Sequence, residues 1–524
     1  MTVARTRCVA LLGVTGHTVD VEADVGNGMA GMHLIGMLDT ALSEARDRVR
    51  SAVVNSRYAW PDARITVSLF PASLPKRGSM FDLAIAVALL AAAGFVPAAR
   101  VARPFFLGEL ALDGSLRPLR GVLPAVMAAA AAGAGTVVVP ARNAAEAALV
   151  PGVTVIPAAT LGELVSWLRS DDPVNVPMIE DLRRQDGPAE PAVTWLSSPA
   201  KDGGVVPDLA DVAGQPFARR ALEVCAAGGH NLWMLGPPGT GKTMLAERLP
   251  GLLPSLEPEQ ALEVTAIHSV AGTLPEDRPL LTRSPFVAPH HTATVAAVIG
   301  GGSGAIRPGA VSLAHRGVLF LDEAPEFPTT VLDSLRQPLE SGTVTVSRAM
   351  GSVMFPARFM LVLAANQCPC ARPSSPEDPC RCTPTTRRRY LARLSGPLLD
   401  RVDVKITLYR STRRELLADR RFIEPSRVVA ERVLAARERA ARRLAATPWR
   451  CNAEVPAQAL HTDYRPAPRA MTPLLKCLDS GELSARGLDR TLRVAWSLAD
   501  LADKSMPEVT ETNAALGLWL GVER

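Results

Sequence analysis

No apolar run in the 524-residue sequence is long enough to cross a bilayer. The longest, Leu83 to Ala93, falls well short of the ~20 residues a membrane helix needs and reads as a buried core helix. Met1 to Cys8 lacks the apolar core and small-residue cleavage site of a secretory signal. Repeats and low-complexity tracts are missing as well. Cysteine is sparse, with eight residues, four of which cluster between Cys368 and Cys382. That usage suits a reducing compartment and a metal clip better than a disulfide framework. The expectation is a cytoplasmic protein with no membrane partner. Lysine is scarce too: only six of the 57 basic residues are Lys.

The charge that is present is segregated. Net charge is +5 overall, yet Arg381 to Arg443 holds 18 basic against 7 acidic residues, a local excess of +11. Two readings stand side by side: a nucleic-acid contact, or a solvated helix face in an arginine-rich chain. The length exceeds what one core can serve. Residues 1–170 alternate strand-like runs (Ile65–Leu69, Thr136–Val139) with helix-like runs (Ala84–Ala93, Ala125–Ala132), the pattern of an α/β or α+β domain. Residues 171–206, rich in Pro, Asp, Gly and Ser, read as a linker. Residues 207–410 read as an α/β ATP-binding domain, and residues 411–524 as a helical C-terminal domain with clear periodicity in Arg427–Leu444 and Ala485–Asp503.

The ATP reading rests on Gly236-Pro237-Pro238-Gly239-Thr240-Gly241-Lys242-Thr243, a full GxxxxGK[ST] loop. It follows an apolar strand, Leu232–Leu235, and opens a helix, the context that the motif requires. Backbone N–H groups of such a loop cradle phosphates, the lysine reaches the outer ones, and the threonine hydroxyl ligates Mg²⁺. A second apolar strand, Val318–Leu321, ends in Asp322 and Glu323. Asp322 is assigned to Mg²⁺ and Glu323 to general base. A third strand, Phe359–Ala365, ends in Asn366, which either holds the lytic water or simply starts a turn. A fourth, Val402–Leu408, follows Arg401. This arginine is either a finger reaching a neighbouring subunit's γ-phosphate or the partner of Asp403 in a surface ion pair.

Lys242 and Asp322 are separated by more chain than one helix and one strand need, so insertions are expected. They contain the pair His290-His291 and the run Gly300–Gly304. A structural or substrate-contacting role is assigned to the histidines, since no second ligand cluster lies beside them. Cys368, Cys370, Cys380 and Cys382 form C-x-C, nine residues, C-x-C, which suits tetrahedral Zn²⁺. Four free loop thiols are the alternative. Cys8, Cys225, Cys451 and Cys477 are isolated and read as buried or incidental.

Taken together, these segments resemble the YifB/ComM-like proteins, AAA+ ATPases related to the magnesium-chelatase motor subunit. Asp211–Gln215, Ala288–Thr292, Ser312–Glu323, Leu335–Glu340, Leu394–Arg401 and Leu483–Gly487 carry the resemblance. It implies a homo-hexameric ring with ATP at subunit interfaces, Asn366 as first sensor, Arg401 as finger and Arg486 as second sensor, with Arg490 and Arg493 competing for that last role. It also implies DNA, single-stranded or branched, as substrate, and recombination proteins as partners, in a branch-migration helicase. A chelatase-type motor remodelling a protein partner is the alternative. Leu74–Met80 and Gly108–Gly114 resemble Lon-protease segments on an S5-like fold. The nucleophile would fall at Met80 and its lysine near Ala125, neither of which yields an activated hydroxyl, and Ser79 is one position off. A non-proteolytic platform is therefore expected. The chain departs from the family at Asn366-Gln367-Cys368, where Asn-Pro-Cys is usual, and at Gly309-Ala310, where Gly-Glu is usual.

Overall fold

The computed structural model describes residues 2–36, 42, 44–170, 207–275, 278–302, 306–348, 351–370, 380, 382–412 and 423–522. The expected linker, residues 171–206, lies outside them.

Residues 2–170 build a seven-stranded mixed sheet. Its strand order is Gly31–Ile35, Arg64–Phe70, Thr15–Gly26, Thr2–Leu12, Phe105–Phe106, Thr136–Pro140 and Thr154–Ala158. The first two strands run parallel, the next two pairings are antiparallel, and the remaining pairings are parallel. Alternation decides which face is covered: in Arg64–Phe70 only Ile65, Val67 and Leu69 are buried. The helix Asp82–Ala92 packs on that sheet with every residue buried. A helix apolar on all faces needs such a setting, which explains the longest apolar run of the chain.

A five-stranded, wholly parallel sheet forms the centre of the second half. Its order is Phe286–Val287, Val318–Leu321, Met360–Ala365, Leu232–Leu235 and Val404–Thr407. Both Val318–Leu321 and Met360–Ala365 are buried throughout. Their alternate residues feed two cores: Val318 and Phe320 enter one, Leu319 and Leu321 the other. A strand covered on both faces must therefore read as an unbroken apolar run. Asn231 staples the entry edge, donating to the Arg401 carbonyl at 2.8 Å and accepting from the Leu361 N–H at 2.7 Å. Register aligns Leu235 with Ala365 and Leu321 with Leu363. Gly236, Asp322 and Asn366 consequently leave the sheet at one common edge. In open parallel sheets, ligands bind at that carboxyl edge.

Helices Ser426–Arg443 and Ala485–Leu501 pack against Pro216–Gly228 beside this sheet. The helix Pro258–Ala271 bridges the two halves. Its Ala266 belongs to the first core, its Ser269 hydroxyl donates to Glu146, and its Ser269 carbonyl accepts from the Gly121 N–H at 3.1 Å. Among the described residues no helix is long and apolar enough to cross a membrane.

Candidate functional site

The loop Gly236–Thr243 turns from its strand into the helix Lys242–Arg248 through two left-handed glycines, Gly239 (φ +77°) and Gly241 (φ +84°). Side chains are disfavoured in that conformation. Thr240 pins the loop by donating to the Pro237 carbonyl at 2.9 Å. Lys242 is buried, and its ammonium donates to the carbonyls of Gly236 (2.8 Å) and Pro237 (2.9 Å) and to Asn366 Oδ1 (3.1 Å). Burial lowers the Lys242 pKa, while the nearby carboxylates of Asp322 and Glu323 oppose that shift.

The other half of the site comes from strand Val318–Leu321. Thr243 donates its hydroxyl to Asp322 Oδ2 at 2.7 Å, and the Glu323 backbone N–H donates to Asp322 Oδ1 at 2.9 Å. The Asp322 carboxylate is thereby aimed at the helix start. Glu323 has φ +50°, a left-handed backbone that costs a non-glycine residue ~1 kcal/mol or more. This turn re-aims its side chain toward His291, whose Nδ1 lies 3.7 Å from Glu323 Oε2. The rings of His290 and His291 lie against each other, tilted by 34° with centroids 4.1 Å apart. His291 is thus a neighbour of Glu323, a contact that the spacing did not disclose.

The expected site residues fall into two groups. Gly236 to Thr243, Asp322, Glu323 and Asn366 converge on one edge of the sheet, whereas Arg401 and Arg486 have partners elsewhere. The alternative pairing of Arg401 with Asp403 is not formed. Arg401 reaches Glu340 and the Pro397 carbonyl, and its Nε is buried without a partner among the described residues. Asp403 is instead drawn inward by the Asn231 N–H (3.0 Å) and Arg490 (2.9 Å). Arg490 is therefore occupied, as is Arg493, which donates to the Val455 carbonyl at 2.7 Å. Arg486 remains 72% exposed, 3.6 Å from Asp400.

The four cysteines come together as their spacing suggests, with all Sγ atoms within 4.8 Å of one another. Cys368 lies 3.1 Å from Cys370 and 3.2 Å from Cys380. A tetrahedral Zn²⁺ with bonds of ~2.3 Å would hold its sulfurs a little under 4 Å apart, so the donor set fits with minor expansion. The Cys382 backbone N–H and the Cys368 thiol lower the Cys380 pKa, while burial raises that of Cys368, so Cys380 is the first thiolate available to a cation.

Part of the basic segment's charge is neutralised within the fold. Arg432 pairs with Glu223 and Glu424, Arg439 with Asp503, and Arg443 bidentately with Asp500. These pairs fasten the helix Ser426–Arg443 to its neighbours. Residues 413–422 lie outside the described residues. In the first half, Met80 and Ala125 are buried, and Ser79 donates to Glu109 rather than lying idle. Lys76, fully buried, donates to the Pro71 carbonyl. No Ser–Lys pair forms among the described residues.

Sequence reasoning missed two contacts of the expected site residues. Glu340 ends a segment distinguished only by its family resemblance, and Tyr390, one of four tyrosines, sits against Asn366. Neither lies near its partner along the chain.

Three family comparisons cover most of the sequence. The magnesium chelatase subunit ChlI family matches residues 208–416, the ChlI subunit of Mg-chelatase residues 21–143, and the C-terminal ChlI family residues 423–518. Protein Rv2897c of Mycobacterium tuberculosis is 52% identical over 516 residues, 98% of either chain. Protein YifB of Salmonella typhimurium is 39% identical over 96% of this chain and 94% of its own. Competence protein ComM of Haemophilus influenzae is 40% identical over 94% of this chain and 92% of its own. With its phosphate loop, acidic strand end and parallel sheet, the chain belongs to the YifB/ComM-like family of magnesium-chelatase-related AAA+ proteins.

Proposed function

We propose that the protein is an ATP-hydrolysing hexameric DNA motor, a branch-migration helicase acting in homologous recombination or natural transformation. The observation that carries the ATPase part is the meeting of Lys242, Thr243, Asp322, Glu323 and Asn366 at one sheet edge. Mg-ATP, when bound, supplies the phosphoryl group and a cation that offsets charge on its oxygens. Backbone N–H groups of Gly239 to Thr243 hold the phosphates. Lys242 exchanges its loop carbonyls for the outer phosphate oxygens, and Thr243 and Asp322 hold Mg²⁺. Glu323 takes the proton of the attacking water, which Asn366 helps to orient. Arg401 neutralises developing charge in the neighbouring subunit, and Arg486 contacts nucleotide from the helical side. Arg490 and Arg493 are committed to other partners, which favours Arg486.

Residues 1–170 serve as a Lon/S5-like platform without protease chemistry, a reading supported by the Ser79–Glu109 contact. Residues 171–206 link it to the motor at 207–410, and residues 411–524 form the lid. Cys368, Cys370, Cys380 and Cys382 hold a structural Zn²⁺. The word competence in the name of the Haemophilus relative supports a role in DNA uptake. A magnesium-chelatase-type motor acting on a protein partner is the second reading, favoured by the three matching families.

The test measures ATP hydrolysis and three-strand branch migration for wild type and Glu323→Gln. Loss of a general base lowers turnover by ~10²-fold or more. The expected variant binds ATP and DNA but neither turns over nor migrates junctions. ATP turnover that ignores DNA and answers to a chelatase partner would move the assignment to the second reading.

A further inference from the structure

Helix Pro384–Leu391 carries Arg387, Arg388 and Arg389 in succession, all exposed. Arg387 donates to the Cys380 carbonyl at 3.4 Å. Arg388 and Arg389 meet no acid among the described residues, unlike Arg432, Arg439 and Arg443 of the same basic segment. Uncompensated guanidinium groups on a short helix are suited to phosphate oxygens, which they can grip with two parallel hydrogen bonds.

Two ties run from this helix to the ATP site. Before its first turn, Cys380 and Cys382 join Cys368 and Cys370, and Cys368 is two residues beyond Asn366. In its last turn, Tyr390 is buried, and burial raises the pKa of its hydroxyl while the nearby Asn366 backbone N–H opposes that rise. Just past the helix, Arg393 pairs with Glu326 at 3.3 Å. Asn366 in turn meets the Lys242 ammonium. A displacement of the helix therefore moves the backbone of the residue proposed to orient the lytic water.

We propose that helix Pro384–Leu391 contacts the phosphate backbone of nucleic acid through Arg388 and Arg389, and that Tyr390 is the positioning residue that passes this occupancy to Asn366. The idea rests on the DNA-motor reading and adds the route by which DNA would set the rate of hydrolysis. It also accounts for the place of the cysteine tetrad. The clip fixes the helix to the sensor loop, so that binding energy is not dissipated in loop motion.

The experiment compares wild type, Arg388→Ala/Arg389→Ala, Arg388→Lys/Arg389→Lys and Tyr390→Phe in the full chain. Single-stranded DNA affinity is read by fluorescence anisotropy across a salt series, and ATP turnover is read with and without that DNA. The double alanine variant keeps the DNA-free turnover. Its log–log salt slope falls by about 1.4, two single-strand contacts at ~0.7 each. The double lysine variant recovers most of the slope. Tyr390→Phe keeps DNA affinity and the KM for ATP yet loses most of the DNA stimulation of kcat, a split that a merely destabilised fold does not produce. An unchanged salt slope in the alanine variant overturns the contact, and full stimulation in Tyr390→Phe overturns the relay. A wild type that neither binds nor answers to DNA overturns the motor reading and this proposal with it. A responsive wild type beside equally responsive variants overturns this proposal alone.

Discussion

Lys242 is a buried cation with three partners, two of them carbonyls of its own loop. Those carbonyls preorganise the ammonium without neutralising it, so the charge is available to phosphate. Lys242→Ala removes the cation and a charge-assisted contact of ~1.5–3 kcal/mol. The expected result is a loss of ATP affinity of ~10-fold or more with an unchanged melting temperature, read by titration with a fluorescent nucleotide. Gly236 is equally constrained, because a Cβ there would meet Leu408 Cβ and its carbonyl oxygen at 2.9 Å. These residues were legible in the sequence because local chemistry dictates them: a phosphate cradle needs glycines, a lysine and a hydroxyl at set offsets. Arg401 was less legible. Its partner Glu340 lies 61 residues away, and only the sheet and the loop before Val404 decide that it prevails over Asp403.

Among elements, the bridging helix Pro258–Ala271 carries a pH-sensitive group. His268 is buried, with Nδ1 2.9 Å from Thr273 Oγ1 and Nε2 3.1 Å from the Leu313 carbonyl. Burial lowers its pKa to about 4 from an ordinary 6.5. The folded state thus disfavours the proton that the unfolded chain accepts, so stability is full above pH 6.5 and declines as pH falls from there toward 4. The expected loss is about 2 kcal/mol at pH 5 relative to pH 8. Urea midpoints across this range check it, and His268→Gln should flatten the profile. The bridge itself escaped the sequence reading, since the residues between Lys242 and Asp322 announced only an insertion. The cysteine tetrad, by contrast, was announced by its spacing, because four thiols so close have few structural uses. Zinc analysis of the purified chain should find about one ion per chain, falling by half or more in Cys380→Ser. No bound zinc in the wild type would leave the alternative of free loop thiols.

For the whole molecule, the latch between Arg401 and Glu340 bears on assembly. Within one chain Arg401 has an acid to neutralise it, and its side chain is 14% exposed. A finger acts only when a neighbouring subunit presents a γ-phosphate, which competes for the guanidinium with greater charge. The same feature makes a ring testable without resolving its shape. On the proposed subunit-interface reading, Arg401→Ala leaves that subunit's own Lys242, Asp322 and Glu323 intact but deprives its neighbour of a finger. Glu323→Gln leaves a working finger but destroys its own site. Each variant alone is expected to hydrolyse ATP at under ~1% of the wild-type rate, since finger loss costs 10³ or more and base loss ~10². Mixed in equal amounts, rings would contain interfaces joining an intact Glu323 to an intact Arg401, about one in four by random assembly. Hydrolysis should then recover well above either variant, and only when the proteins are mixed before ATP-driven assembly. If the mixture stays as inactive as its parts, Arg401 works within its own chain, and the subunit-interface placement of ATP must be given up.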